Sequence, residues 1–210
     1  MNTSHLRLCS SRRWAEGLQS EVLEPLAARV PLGDEMLELG PGPGAATAWL
    51  CRRVRSLTAV EIDGAAAERL AAEYSGTNVR VVVGDCSKTG LPRSSFDSVG
   101  AFTMLHHLPT TARQLATLKE AYRVLRPGGA LLGCDSLASA GLHQFHSGDT
   151  YNPVDPARLL VMLQSLGFTQ IMLLVDPDLV FSARKPGRAS RPASAALATT
   201  DQDRVDEPAG

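Results

Sequence analysis

The segment Glu38-Leu39-Gly40-Pro41-Gly42-Pro43-Gly44 sets a carboxylate at the mouth of a glycine-rich loop. Glycine carries no Cβ, so such a loop lets a ligand and the following helix approach the backbone closely. Taken alone the pattern is ambiguous. Gly40, Gly42 and Ala45 also fit the G-x-G-x-x-A spacing with which dinucleotide-binding loops hold a pyrophosphate. A pyrophosphate needs backbone N–H donors, however, and Pro41 and Pro43 have none to give. It would also be repelled by Glu38, whose charge suits a cationic ligand. Two further acids stand in comparable places. Glu61, about twenty residues beyond the loop, can accept hydrogen bonds from both hydroxyls of a ribose. Asp85, in Val83-Gly84-Asp85-Cys86, can accept from the exocyclic amine of a purine while the Cys86 amide donates to a ring nitrogen. A solvated strand-end acid and a Gly-Asp turn are the plain alternatives for these two.

The elements that would position these residues follow from periodicity and punctuation. Leu18, Val22, Leu23, Leu26, Ala27 and Val30 recur at helical spacing from Trp14 onward, and Pro31 stops that helix. Strands are predicted at Met36–Leu39, Leu57–Ile62, Val79–Val83, Phe96–Thr103 and Ala130–Cys134. Helices are predicted between them: Ala45–Val54, one opened by Asp63-Gly64 and running to Tyr74, and one capped by Thr110 or Thr111 that lasts to Leu125, where Arg126-Pro127-Gly128-Gly129 breaks it. Asp155-Pro156 is an N-cap with proline at N1, starting a helix that Gly167 ends. Thr169–Val175 and Leu179–Ala183 read as a closing hairpin, which makes an edge strand antiparallel. Strands alternating with helices imply a parallel sheet covered on both faces. Glu38, Glu61 and Asp85 then end three successive strands, at the carboxyl edge where such sheets bind ligands.

Composition narrows the function classes. The chain has 210 residues, 44% hydrophobic and 20% charged, with a formal net charge of -1. That balance argues against a protein held to nucleic acid by its phosphates. Cys9, Cys51, Cys86 and Cys134 are far apart, with no C-x-x-C pair and no Cys/His spacing for zinc, so no metal site is expected and the thiols are read as free. Met1 to Arg13 contains no apolar run suited to a signal peptide, and the apolar segments are strand-length. A cytoplasmic protein with no membrane partner is expected; the sequence sets no oligomeric state. The organisation expected is an N-terminal helical segment and possible lid over 1–33, a ligand-binding domain over 34–185, and a disordered tail over 186–210, rich in Pro, Ala, Ser, Thr and Asp.

Together these motifs resemble the class I S-adenosylmethionine (SAM)-dependent methyltransferases, in particular the small stand-alone bacterial enzymes. The resemblance covers residues 36–185 and is carried by E-L-G-P-G-P-G at 38–44, A-V-E-I-D at 59–63, G-D-C at 84–86, S-F-D-S-V at 95–99, L-R-P-G-G at 125–129 and L-G-F at 166–168. It implies a Rossmann-like three-layer α/β sandwich with a seven-stranded, mostly parallel sheet of order 3-2-1-4-5-7-6 whose last strand is antiparallel. It implies SAM as cofactor, with Glu38, Gly40, Gly42 and Gly44 at the methionine part, Glu61 and Ile62 at the ribose side, Asp85 and Cys86 at the adenine, and Thr103 and Leu105 flanking. A sulfonium and an ammonium are cations, as the charge of Glu38 suggests.

The sulfonium activates its own methyl group, so the protein's main task is orientation, with a general base only where the acceptor's pKa is high. His107, in Thr103-Met104-Leu105-His106-His107-Leu108-Pro109, is the candidate base or orienting group; a backbone hydrogen bond before a helix is its plain alternative. Trp14, His143, His146 and Tyr151 are candidate contacts to a small-molecule acceptor. His143, His146 and Asp149, three apart, could hold a metal on a helix, but Gly148 and Asn152-Pro153 argue for a loop. Two competing functions stand beside methyl transfer: an NAD(P)-dependent oxidoreductase, which lacks a Tyr-x-x-x-Lys pair here, and a non-catalytic SAM-binding regulatory protein.

Overall fold

The computed structural model describes residues 2–187; all but the first two residues of the expected tail lie outside them. Helices α1 (Thr3–Cys9), α2 (Arg12–Leu18) and α3 (Glu24–Arg29) lead into strand β1 (Glu35–Leu39). Then come α4 (Thr47–Leu50), β2 (Ser56–Glu61), α5 (Gly64–Glu73), β3 (Val79–Val83), β4 (Phe96–Phe102), a 3-10 turn (Leu105–His107) and α6 (Thr111–Val124). The chain closes with β5 (Leu125–Asp135), α7 (Ala140–Phe145), α8 (Pro156–Ser165), β6 (Thr169–Val175) and β7 (Leu179–Arg184).

The seven strands form one sheet in the order β3-β2-β1-β4-β5-β7-β6. The first five are mutually parallel, and β7 runs antiparallel to both of its neighbours. The antiparallel strand is therefore internal rather than at the edge, because β7 inserts between β5 and β6. Alternating side chains point to opposite faces of a strand, and the core divides accordingly. Leu37, Leu39, Val99, Ala101 and Leu131 join α6 and α8 on one face. Met36, Leu57, Ala130 and Leu132 join α2 through α4 on the other. Such burial on both faces is what the unbroken apolar runs of a parallel sheet require. No described helix is long and apolar enough to cross a membrane.

Several local forecasts are adjusted. The long first helix is interrupted by a π-helical turn at Gln19–Leu23, where the Glu24 N–H donates five residues back to Gln19 O. Pro25 cannot donate to the carbonyl four residues earlier and its ring crowds that carbonyl, which accounts for the widened turn. The helix expected over Ala45–Val54 is regular only at Thr47–Leu50, with single turns on either side. Arg126–Gly129 does not separate two elements but bulges within β5, between the pairings Phe96↔Leu125 and Ser98↔Ala130. His143 lies in the short helix α7 rather than in a loop; Ser139 caps that helix by accepting from the Leu142 N–H. The N-caps at Asp63, Thr110 and Asp155 are formed as expected, each side chain accepting from the amide three residues on.

Candidate cofactor and acceptor site

The carboxyl ends of β1 and β2 carry Glu38 and Glu61 into one buried region. Glu38 is only 2% exposed, and its Oε2 accepts from the Thr47 hydroxyl at 2.6 Å. Burial pushes its pKa up to about 7; the Thr47 hydrogen bond opposes this and the charge of Glu61 adds to it. Glu61 braces the glycine loop. Its Oε2 accepts from the Gly42 N–H and its Oε1 from the Asp63 N–H, each at 3.0 Å. No Lys or Arg pairs with either acid among the described residues.

Backbone conformation makes the loop's composition necessary. Gly40, Gly42 and Gly44 have φ of 62°, 54° and 88°, the left-handed region. A Cβ on Gly40 would sit 3.0 Å from Met104 Cβ, and one on Gly44 would sit 2.7 Å from Leu70 Cδ1. Beyond Glu61, Ile62 is 69% exposed, and Val83, paired with Glu61 in the sheet register, is 62% exposed. Two large apolar side chains thus lie bare at a strand edge otherwise lined with acids.

Asp85 lies past β3. Its Oδ1 accepts from the Ser87 amide and hydroxyl, both at 2.8 Å, and its Oδ2 from Arg113 on α6 at 2.5 Å. Desolvation raises its pKa, but the hydrogen bonds from Ser87 and Arg113 outweigh that and hold it below the ordinary carboxylate range. The Cys86 thiol is buried, with its pKa pushed up to about 12 mainly by that burial. Thr103 takes a left-handed φ of 50°, and its amide donates to Cys134 O. Leu105 is buried, and its amide donates to Asp135 Oδ2 at 2.9 Å.

On the far side of the strand tips, His5, His106, His107 and His146 converge from α1, the 3-10 turn and the end of α7; a nitrogen of each lies within 4.8 Å of one from every other. Asp135, buried at the end of β5, accepts from His106 Nδ1 at 2.6 Å. His107 is half-buried, and burial with the three neighbouring histidines pushes its pKa down to about 3, so the ring is neutral and a weak proton acceptor at neutral pH. His146 is buried and stacks on Tyr151 (centroids 4.4 Å, 16° between planes). His143 is exposed, its ring 6.0 Å from Tyr151. His143, Gln144, His146, Asp149 and Tyr151 line an open hollow of about 470 Å³. Trp14, half-buried in the first turn of α2, makes none of these ring contacts.

Residues 37–133 match the family model described as a methyltransferase domain. Over that stretch, a little under half of its length, the chain is similar to a methyltransferase domain. A curated relative, an uncharacterised methyltransferase of Mycobacterium tuberculosis, is 33% identical over 119 residues, 56% of this chain and 58% of that protein. The chain thus spans less than two thirds of the length of that relative. Among solved structures, an S-adenosylmethionine-dependent methyltransferase from Mesorhizobium loti superposes with a TM-score of 0.64 at 18% identity, covering 77% of this chain and 96% of that one. Phosphoethanolamine N-methyltransferase 2 of Haemonchus contortus, in complex with S-adenosyl-L-methionine, superposes with a TM-score of 0.65 at 17% identity, covering 82% and 53%. Both likenesses concern the fold.

The residues present fit the family's cofactor. Two buried acids without a cationic partner suit a ligand that carries positive charge, the loop leaves no Cβ in its path, and Ile62 with Val83 offers an apolar face for a purine. Sequence reasoning pointed to Glu38 and Glu61 because each ends a strand, and it did not single out Val83. It missed Thr47, Arg113 and Asp135. A fourth strand-end acid after β5 was visible in Cys134-Asp135, and the position rule applied to the other three would have found it. It also missed His5, whose partners lie about a hundred residues away in sequence; nothing local marks it.

Proposed function

We propose that the protein transfers the methyl group of SAM to a small-molecule acceptor held at the tips of β4 and β5. The observation that carries this reading is the buried pair Glu38 and Glu61 at the tips of adjacent strands, unpaired with any cation among the described residues and set against the glycine loop. When bound, SAM supplies an electrophilic methyl group on a cationic sulfur. Glu38 then answers positive charge on the amino-acid part, while Glu61 holds the loop and keeps lone pairs for the ribose hydroxyls. Ile62 and Val83 cover the purine, and Asp85 with the Cys86 amide reads its edge. Gly40 and Gly44 keep the loop flush against Met104 and Leu70.

The acceptor side follows from the hollow bordered by His143, His146 and Tyr151, whose mixture of rings and polar groups suits a compact organic molecule. The ordinary charge balance supports a small acceptor over a nucleic acid. His107 is a poor group for proton removal, since its ring holds a proton so weakly. Calorimetry with SAM, S-adenosylhomocysteine and NADP tests the cofactor. Binding of both adenosyl ligands and not of NADP is expected, and the opposite result would overturn the reading. A metabolite-extract screen with labelled SAM then separates an enzyme, which labels an extract component, from a non-catalytic SAM-binding protein, which labels none.

A further inference from the structure

From the four-histidine cluster we infer that this protein holds a divalent transition-metal ion of the zinc class, bound through one ring nitrogen each of His5, His106, His107 and His146. The inference is independent of methyl transfer and stands on geometry. The His106 Nδ1 faces Asp135 Oδ1 at 2.6 Å, and the His146 Nδ1 faces the Leu142 carbonyl at 2.7 Å. A carboxylate and a carbonyl only accept, so both Nδ1 atoms carry the proton in the neutral rings. Their Nε2 atoms are then bare lone pairs, yet they stand 3.2 Å apart in a buried site. Two lone pairs at that distance repel unless a shared proton or a metal ion lies between them, and the convergence of four rings on one spot favours the metal. With a metal–nitrogen bond of about 2.0–2.1 Å, two ligands of a tetrahedral ion are about 3.3 Å apart, close to the 3.2 Å between the His106 and His146 Nε2 atoms, while the four ring nitrogens lie within 4.8 Å of one another.

The other two rings are prepared in the same way. The His5 Nδ1 faces Asp149 Oδ2 at 3.3 Å, leaving Nε2 for a ligand, and His107 is hydrogen-bonded to the Thr150 backbone. Each ring thus has a protein group at one nitrogen; the Nε2 atoms of His106 and His146 face each other, and one nitrogen of each of the four rings lies within 4.8 Å of the others. Metal-bound histidines almost always donate their second N–H to a carboxylate or carbonyl, which sets the tautomer and aims the lone pair. The outer groups are tied in turn. Asp135 also accepts from the Leu105, His106 and Ser136 amides, and Asp149 from the Asn2 amide at 2.6 Å. Imidazole donors suit Zn²⁺, Cu²⁺ and Ni²⁺, and four protein ligands close the shell, as structural zinc sites do. The ion would fasten α1 and the end of α7 onto the tips of β4 and β5. His143 lies outside this set; His5 takes the place that its spacing in sequence suggested for it.

The test uses the full chain without a histidine tag, stripped with chelator and checked for its native melting transition. Added Co²⁺ is expected to bind at one ion per chain, with the intense visible ligand-field bands of a tetrahedral nitrogen site, and Zn²⁺ to displace it. His5→Ala and His146→Ala should each weaken binding by at least about 100-fold, and Asp135→Asn by about 10–100-fold through the misaimed His106 ring. His143→Ala, on the outer face of α7, should bind as the parent does. If His146→Ala fails to fold, His5→Ala, on an N-terminal helix outside the sheet, still decides the question. A folded parent that takes up no Co²⁺ or Zn²⁺, or uptake unchanged in His5→Ala, would overturn the site.

Discussion

Replacing Glu38 with glutamine should stabilise the ligand-free protein and impair its binding of SAM. Glu38 has its pKa raised from 4.5 to about 7 because its carboxylate is buried beside Glu61. A group with a raised folded-state pKa favours folding fully while both states are protonated, below about pH 4.5. The contribution is lost as pH rises through 7. At 1.36 kcal/mol per unit, the ionised carboxylate costs the fold about 3 kcal/mol at pH 8. Glutamine is neutral and its carbonyl can still accept from the Thr47 hydroxyl, so the variant escapes that cost. In a chain of this size 1 kcal/mol moves Tm by about 2–4 °C, so Glu38→Gln should melt about 6–12 °C above the parent at pH 8. The gap should shrink steadily toward pH 5. Calorimetry supplies the other half. In the parent at pH 7, SAM binding should release about half a proton, seen as a dependence of the apparent enthalpy on buffer ionisation. The variant should release none and bind about tenfold or more weakly, having lost a charge-assisted contact. Parallel Tm–pH curves for the two proteins would refute the argument that this carboxylate is held ionised at a cost until a cation arrives.

Four further outcomes follow from the same geometry. Glu61→Ala leaves the Gly42 and Asp63 amides without their acceptor, so it should lower stability by about 1–3 kcal/mol in denaturant melts and weaken SAM binding as well. Gly40→Ala puts a Cβ 3.0 Å from the Met104 Cβ at a φ of 62°, and a loss of about 1–2 kcal/mol is expected, of which Met104→Ala in the same chain recovers little, because the nearest atom is the Cβ that alanine keeps. The Asp85–Arg113 pair is partly exposed, at 34% and 42%, so Arg113→Ala should change stability by less than about 1 kcal/mol. Asp85→Ala should still weaken SAM binding by about 1–3 kcal/mol in calorimetry, as adenine loses its acceptor.

The strands themselves were legible because they depend on local regularities, β-branched and apolar runs, and so were the glycines and acids placed where those runs end; the strand order came from the resemblance to a known family. Glu38, Glu61 and Asp85 needed only their positions relative to those runs. What escaped depends on contacts between distant segments. The π turn at Gln19–Leu23 follows from Pro25, yet nothing in the sequence states whether a helix will bend, widen or stop there. The continuity of β5 through Arg126–Gly129 is imposed by Phe96 and Ser98 across the sheet, overriding a string of helix breakers. The histidine cluster is the extreme case. His5 lies on a short N-terminal helix whose place is set by Asn2 bonding to the Asp149 carboxylate and the Phe145 carbonyl. Spacing within one segment pointed instead to His143, which faces out.

The four cysteines are free, and three of them have raised pKa values: Cys9 to about 11, Cys86 to about 12, and Cys134 upward, each mainly by desolvation. Alkylating reagents attack the thiolate, so the partly exposed Cys9 reacts slowly, and the buried Cys86 and Cys134 react only when their surroundings open. They mark different parts of the molecule: Cys9 the first helix, Cys86 the loop after β3, and Cys134 the central strand β5. Modification rates at the three, followed by mass spectrometry under native conditions, would therefore act as separate clocks for local opening. Cys9 should tick fastest and Cys134 slowest.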